Sequence, residues 1–185
     1  QAREVYSPVC NDVCLGKVYD SDKNKMLTAL ENADIAFKSW RNVDVAQRAE
    51  ILNKVADNLE ADTPKWAAMI AAEAGRLVPD AIDEVREAAD FCRYYAYLAS
   101  KTLCEKVLQG PTGEDNRLSY SGRGVVVCIS PWNFPLAIFI GQIAASLAAG
   151  NTVVAKPAEQ TSLIAHEAEK CFIAAGLPEN VLNLV

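Results

Sequence analysis

The segment 129–135, Ile-Ser-Pro-Trp-Asn-Phe-Pro, contains the residues that point most directly to chemistry. It follows an apolar run, 124–128, that predicts a buried strand, and it precedes a second apolar run, 136–149, that predicts a buried helix. Ligands of open α/β sheets bind at the carboxyl ends of strands. A segment that only packs in a core has no need of a carboxamide there. Asn133 therefore suggests a chemical role, and the alternative is a cap for the following helix.

A second polar loop, Lys156-Pro-Ala-Glu159, follows the next predicted strand, 152–155. Because adjacent parallel strands end at the same edge of a sheet, we expect the two loops to lie side by side. The dinucleotide fingerprint G-x-G-x-x-G is absent from the sequence. Phosphates, if bound, are therefore not held by glycines of that motif.

The elements that must position these loops are predicted from apolar periodicity and from turn residues. The first twenty residues predict a hairpin. A first helix follows the candidate N-caps Asp20, Ser21 and Asp22 and reaches Trp40, and further helices are predicted over about 44–61, 64–75 and 79–103. Thr63 is the predicted N-cap of the third helix. The predicted inward residues of the first two helices are Met26, Leu30, Ala33, Phe37, Trp40, Ala49, Leu52, Val55, Ala56 and Leu59. Those of the fourth are Ile82, Val85, Ala89, Cys92, Tyr95, Ala96 and Ala99.

The second half of the chain has a different pattern. Segment 117–121 alternates polar and apolar residues and predicts an exposed strand. From residue 124 the order strand, helix, strand, helix, strand predicts half of a doubly wound parallel sheet, so the fold class is α/β. We divide the chain into 1–109, the hairpin and helices; 110–123, an arm with the exposed strand; and 124–185, the βαβαβ portion.

Composition excludes several classes of function. The 185 residues carry a net charge of −6, which argues against nucleic acid as the main partner. No apolar run reaches transmembrane length, and no signal peptide is expected. The six cysteines are expected to be free thiols of a reducing compartment, and no metal site is predicted. We therefore expect a cytoplasmic protein.

The two loops together resemble the aldehyde dehydrogenase superfamily, and their order and spacing match from near residue 5 to residue 185. A narrower resemblance is to the dehydrogenase part of bifunctional proline utilization A, which oxidises L-glutamate γ-semialdehyde to L-glutamate. The segments that carry this narrower resemblance are 83–96, 110–114, 121–125, 128–139 and 155–161. The resemblance implies an NAD-binding domain of that family.

The resemblance implies that Asn133 supplies the oxyanion-hole amide. In the family, a cysteine thiolate attacks the aldehyde to give a tetrahedral thiohemiacetal, and the former aldehyde oxygen gains negative charge. Hydride then leaves to the nicotinamide and water hydrolyses the thioester. Losing one donor aimed at such an oxygen costs roughly 100- to 1000-fold in rate.

The resemblance also implies where the cofactor binds. Lys156 and Glu159 match the pair that holds the adenosine ribose, and the carboxylate favours NAD over NADP because it would repel a 2′-phosphate. The alternative is an exposed surface ion pair. The other matching positions are Ile129, Ser130, Pro131, Trp132 and Ala158.

A glutamate on helix 83–96 borders the substrate entrance in this branch, and Glu87 matches it best. The alternative for Glu87 is a solvated helix face beside Asp83 and Arg86. Segment 117–121 matches the arm that reaches another subunit, so we expect a homo-oligomer. A bifunctional parent would carry a proline dehydrogenase with FAD upstream of Gln1.

The sequence departs from the family in one decisive respect. The nucleophilic cysteine and the general-base glutamate are expected beyond residue 185, and Cys128 lies inside a strand where burial makes a thiol inert. We interpret the chain as part of a larger dehydrogenase and expect the chain alone to be inactive and to bind NAD weakly or not at all. Two alternatives stay open: another semialdehyde dehydrogenase, such as one for succinate semialdehyde, and a catalytically silent structural domain.

Overall fold

A short antiparallel hairpin begins the fold in the computed structural model, which describes residues 2–185. It consists of β1, Ala2–Tyr6, and β2, Cys14–Tyr19, paired with Ala2 opposite Tyr19. The predicted hairpin is thus confirmed, while Gln1, the first residue of the predicted segment 1–109, lies outside the described residues.

Four helices follow, close to the predicted bounds: α1, Lys23–Trp40; α2, Val45–Ala61; α3, Thr63–Ala74; and α4, Val78–Thr102. Two of them begin at local aspartate caps. The backbone N–H of Lys25 donates to Asp22 at 2.8 Å and that of Ala46 donates to Asp44 at 3.0 Å. These short bonds satisfy helix N–H groups that have no partner within the helix.

The apolar face predicted for α2 is confirmed, since all five of its residues are buried. The prediction is wrong for Met26 and Leu30 of α1, which are 43% and 37% exposed, and for Ile82 of α4, which is 39% exposed. Periodicity identifies the apolar side of a helix. It does not say how far along the helix neighbouring elements cover that side.

The start of α3 also differs from its prediction. Thr63 is the first helical residue rather than the N-cap, and its hydroxyl donates to the carbonyl of Glu60 at 2.9 Å. Asp62 holds the cap position without a side-chain bond. The other end follows the prediction, because Gly75 adopts a left-handed φ of 68° that favours glycine.

A second hairpin joins the helices to the sheet. It pairs β3, Lys106–Leu108, with β4, Asn116–Leu118. The sequence predicted an exposed strand over 117–121 and no strand before residue 110. Strand β4 is instead paired, and its partner lies within the predicted segment 1–109.

The remaining elements form a parallel sheet with the order β5-β6-β7. Their bounds are β5, Val125–Ile129; α5, Ala137–Ala148; β6, Thr152–Lys156; α6, Ser162–Ala174; and β7, Leu182–Leu184. Because right-handed crossovers in one direction leave their helices on one face, α5 and α6 cover the same side of the sheet. The predicted α/β class and half of a doubly wound sheet are confirmed.

The core lies where α5 and α6 meet the sheet on one side and α2, α3 and α4 on the other. Strand β5 is less buried than its apolar sequence predicted, since Val127 and Ile129 are 54% and 65% exposed while Cys128 is buried. Helix α1 packs on their face of the sheet, mainly against β6, and the described residues leave the carboxyl end of β5 exposed. An apolar run alone cannot distinguish a strand covered on both faces from one covered on a single face.

Helix α6 is capped from a distance. Both oxygens of the buried Glu73 carboxylate, on α3, accept hydrogen bonds from the N–H groups of Leu163 and Ile164, at 2.7 and 2.8 Å. Burial raises the pKa of Glu73, although these bonds partly offset the effect. No helix of the described residues is long and apolar enough to cross a membrane.

Candidate functional site

The two polar loops meet at the carboxyl edge of the sheet. Ile129, the last residue of β5, is in register with Lys156, the last residue of β6. The N–H of Ser130 donates to the carbonyl of Lys156 at 3.1 Å. The expectation that the loops lie side by side is therefore confirmed, and a single ligand could contact both.

Asn133 is exposed on the first loop. Its side chain makes no hydrogen bond with any residue from 2 to 185, whereas its backbone carbonyl accepts one from Nη1 of Arg76 at 2.6 Å. The backbone is therefore held while the carboxamide stays available as a donor. A carboxamide N–H without a protein partner can donate to a ligand oxygen.

The alternative role of Asn133 as a helix cap is wrong. Helix α5 begins at Ala137, and no neighbouring side chain caps it. Oε1 of Glu84, on α4, instead accepts from the N–H of Leu136 at 2.8 Å and from that of Ala137 at 3.3 Å. The cap thus comes from a residue 52 positions earlier in the chain.

Arg76 connects this cap to the loop. Its Nε lies 3.5 Å from Oε2 of Glu84, and its guanidinium stacks 4.2 Å from the centre of the Phe134 ring. Glu84 is 1% exposed, and burial raises the pKa of its carboxyl while the backbone bonds and Arg76 oppose the rise. Sequence reasoning missed both residues, because their partners are distant in the chain.

The four residues before Asn133 differ in exposure. Ser130 is buried, whereas Ile129, Pro131 and Trp132 are exposed and do not belong to the core. The carbonyl of Ile129 accepts from Nε2 of Gln142 on α5, at 3.2 Å. The loop therefore presents an apolar, partly aromatic surface beside the available carboxamide.

The second loop carries the predicted ion pair. Nζ of Lys156 lies 3.8 Å from Oε1 of Glu159 and donates to the carbonyl of Pro157 at 3.0 Å. The Glu159 side chain is well exposed and that of Lys156 is partly exposed, and a short 3₁₀ turn, Glu159–Thr161, follows directly after Ala158. The pair is long and solvated, so by itself it adds little to stability.

A cavity of about 790 Å³ adjoins this second loop. Its wall includes Lys156 and Glu159, together with Tyr19 of β2, His166 of α6 and Leu184 of β7. The volume lies within the roughly 300–1,000 Å³ range of small-molecule sites. An ammonium and a carboxylate on a partly apolar wall suit the hydroxyls of a ribose, so these residues fit a dinucleotide cofactor.

Glu87 is joined to neither loop by a hydrogen bond or an ion pair within the described residues. It is exposed on α4, one turn after Glu84, and makes no hydrogen bond or ion pair with other described residues. The residues that line the open cavity of about 530 Å³ around it are Asp83, Arg86, Glu87, Asp90, Phe91 and Tyr94. The described residues thus do not bring Glu87 into contact with Asn133.

The thiols of the chain are poorly suited to nucleophilic attack at this site. Cys128 is buried inside β5 with its Sγ 3.8 Å from Oγ of Ser146, and burial raises its pKa, as predicted. Burial also raises the pKa of Cys92, and that of Cys171 to about 11. Cys10, Cys14 and Cys104 are exposed on segments outside the two loops.

Known proteins resemble the chain over its full length. The profile of the aldehyde dehydrogenase family matches residues 1–185. The chain is 38% identical over 180 residues to 1-pyrroline-5-carboxylate dehydrogenase 1 of Halalkalibacterium halodurans, and 42% identical over 183 residues to the bifunctional protein PutA of Escherichia coli. These matches cover 97% of the chain in both cases.

The solved structure of 1-pyrroline-5-carboxylate dehydrogenase from Thermus with bound NAD superposes with a TM-score of 0.93 and 34% identity, and the match covers the whole chain and 36% of that protein. The chain spans 35% of the length of the Halalkalibacterium protein and 13% of that of PutA. The family match over residues 1–185 and the two adjoining loops point to the same family. The chain belongs to the aldehyde dehydrogenase family.

Proposed function

We propose that the full-length protein is an NAD-dependent dehydrogenase that oxidises L-glutamate γ-semialdehyde to L-glutamate in proline degradation. The observation that carries the proposal is the pairing of the two loops through Ser130 and Lys156, with an available carboxamide on one and an ammonium–carboxylate pair on the other. The named activity of two relatives, 1-pyrroline-5-carboxylate dehydrogenase, supports the choice of substrate, since that compound equilibrates with the semialdehyde.

Asn133 acts on the substrate oxygen in this proposal. Its carboxamide N–H donates to the oxygen as negative charge develops there, and the held backbone keeps the base of the side chain in place during the reaction. The nucleophilic thiolate is supplied by a residue outside the chain, in keeping with the raised pKa values of the buried thiols. Glu87 borders the substrate entrance.

The second loop holds the cofactor. Lys156 and Glu159 hydrogen-bond the ribose hydroxyls, while the positions that pack along the cofactor are Ile129, Ser130, Pro131, Trp132 and Ala158. NAD supplies the hydride acceptor when bound. The carboxylate of Glu159 disfavours a 2′-phosphate, which supports NAD over NADP.

The wider setting follows the relatives that are named bifunctional PutA. We infer that the full-length protein is a cytoplasmic homo-oligomer whose contacts include the β3–β4 hairpin. If it is bifunctional, a second domain with FAD oxidises proline. The dehydrogenase substrate is a small aldehyde in either case.

The test is NADH formation by the full-length protein. We expect L-glutamate γ-semialdehyde to give a higher kcat/KM with NAD than succinate semialdehyde does, and NADP to be the poorer cofactor. The 185-residue chain should give no NADH under the same conditions. A full-length protein that oxidises succinate semialdehyde more efficiently would overturn the choice of substrate, and one that oxidises no aldehyde would indicate a silent domain.

A further inference from the structure

Two side chains outside the loops, Arg76 and Glu84, bind backbone groups at the end of the first loop. Arg76 donates to the carbonyl of Asn133 and stacks on Phe134, and Glu84 accepts from the N–H groups of Leu136 and Ala137. Together they hold backbone groups on both sides of Pro135. The two are also joined to each other, at 3.5 Å.

The burial of Glu84 indicates that this arrangement is more than a surface ion pair. Its carboxylate is 1% exposed, and Oε2 makes no hydrogen bond with any described residue although Arg76 lies close by. Burying a carboxylate costs free energy, and here its hydrogen bonds go only to the N–H groups of Leu136 and Ala137, with Arg76 as its ion-pair partner. The buried carboxylate therefore serves to hold the end of this one loop.

We propose that Arg76 and Glu84 are positioning residues that set the direction of the Asn133 carboxamide. This inference rests on the proposed function, because it assigns the pair a task in the same reaction. Neither residue touches the substrate. They act through the backbone of Asn133 and the first turn of α5, and a small displacement of a catalytic group can cost about 100-fold in rate.

Steady-state kinetics of the full-length protein test the proposal. Glu84→Ala and Arg76→Met should each lower kcat about 10- to 100-fold and leave KM for NAD within about twofold. Glu84→Gln keeps an acceptor at Oε1 and should restore kcat to within about fivefold of wild type. Arg76→Met keeps the test open if Glu84→Ala fails to fold, because Arg76 is not fully buried.

The matched control is Glu73→Ala, which removes the corresponding buried cap from α6. It should destabilise the protein to a similar extent and leave kcat within about threefold of wild type. If Glu73→Ala lowered kcat as much as Glu84→Ala does, general destabilisation would explain both effects and the positioning role would be overturned.

A double-mutant cycle with Asn133→Ala decides whether Glu84 acts through Asn133. Once the carboxamide is removed, Glu84→Ala should lower kcat by less than about threefold. An equal loss in both backgrounds would overturn the proposal.

Hydrogen exchange separates failure of this inference from failure of the proposed function. In the full-length protein, Glu84→Ala should speed exchange of the Leu136 and Ala137 amides, and Arg76→Met should speed exchange of the same two amides to a smaller extent, because Arg76 lies beside the Glu84 carboxylate. Unchanged exchange would overturn the positioning role even if the wild type oxidises the aldehyde. A wild type that oxidises no aldehyde would instead remove the proposed function.

Discussion

The strand–loop–helix units 125–148 and 152–174 are alike in order but differ in how their loops are held. The first loop is fixed by Arg76 and Glu84, and its carboxamide is left available. The second loop is short, its ion pair is exposed, and it borders the 790 Å³ cavity. The same strand–loop–helix arrangement thus carries a carboxamide on a held loop in one unit and a solvated ion pair in the other.

The difference suggests a division of labour. A group that stabilises developing charge must be held in one direction before the reaction, because reorganisation would cost rate. A pair that binds ribose hydroxyls can tolerate some movement, since it contributes to affinity rather than to the chemical step. We therefore expect changes in the first loop to lower kcat and changes in the second to weaken cofactor binding.

Asn133→Ala should have the largest effect. In the full-length protein we expect kcat for the aldehyde to fall about 100- to 1000-fold, because the developing oxyanion loses a donor. Stopped-flow and steady-state assays of NADH formation measure it. Asn53→Ala, an exposed asparagine of α2, is the control and should keep wild-type kcat. A similar kcat in both variants would remove the first loop from the chemistry.

Glu159→Gln should have the next largest effect and should act on cofactor choice. Removing the carboxylate removes repulsion of a 2′-phosphate, so the ratio of kcat/KM for NAD to that for NADP should fall about tenfold. Glu31→Gln, an exposed change on α1, should leave the ratio unaltered. An unchanged ratio in Glu159→Gln would show that the second loop does not set the choice of cofactor.

Removal of either buried cap, Glu73 at α6 or Glu84 at α5, should destabilise the protein to a similar extent. Glu73→Ala and Glu84→Ala should each lower the free energy of unfolding by about 1–3 kcal/mol, because buried helix N–H groups lose their acceptor. Urea unfolding of the 185-residue chain, followed by tryptophan fluorescence, measures the loss. Glu50→Ala, which removes an exposed ion pair of α2, should change it far less. Equal effects in all three variants would mean that the caps carry no special weight.

The smallest expected effect is on the pH dependence of stability. Burial raises the pKa of Glu73 and of Glu84, so the folded chain binds protons that the unfolded chain has already released just above the ordinary carboxyl pKa. Their contribution to stability therefore falls as the pH rises through that window and is constant above it.

Replacing both glutamates by Gln should flatten this part of the pH profile relative to wild type, as measured by urea unfolding at a series of pH values. If the wild type instead gained free energy of unfolding relative to the double variant as the pH rises, that result would contradict the direction of the pKa shifts.

The sequence predicted the sheet, the helices and the adjoining loops because these depend on local periodicity and on topology. It missed Glu84, which caps α5 from another helix, and it assigned the capping alternative to Asn133, which is nearer in the chain. It also missed β3, a strand of only three residues. Contacts between residues far apart in the chain leave no periodic signal, so these features required the three-dimensional structure.

The roles of the individual site residues stay predictions. The structure brings together Ile129, Ser130 and Lys156 directly, whereas no hydrogen bond or ion pair of the described residues joins Glu87 to either loop. Val127 and Ile129 of β5 are likewise exposed, and neither belongs to the hydrophobic core of the described residues.

The most direct test of the division of labour is the dissociation constant of NAD for two variants of the full-length protein, measured by calorimetry. Lys156→Ala should weaken NAD binding about tenfold, since one charged hydrogen bond to the ribose is lost. Asn133→Ala should bind NAD within about twofold of wild type. Wild-type affinity in Lys156→Ala, or an equal loss in Asn133→Ala, would contradict the account.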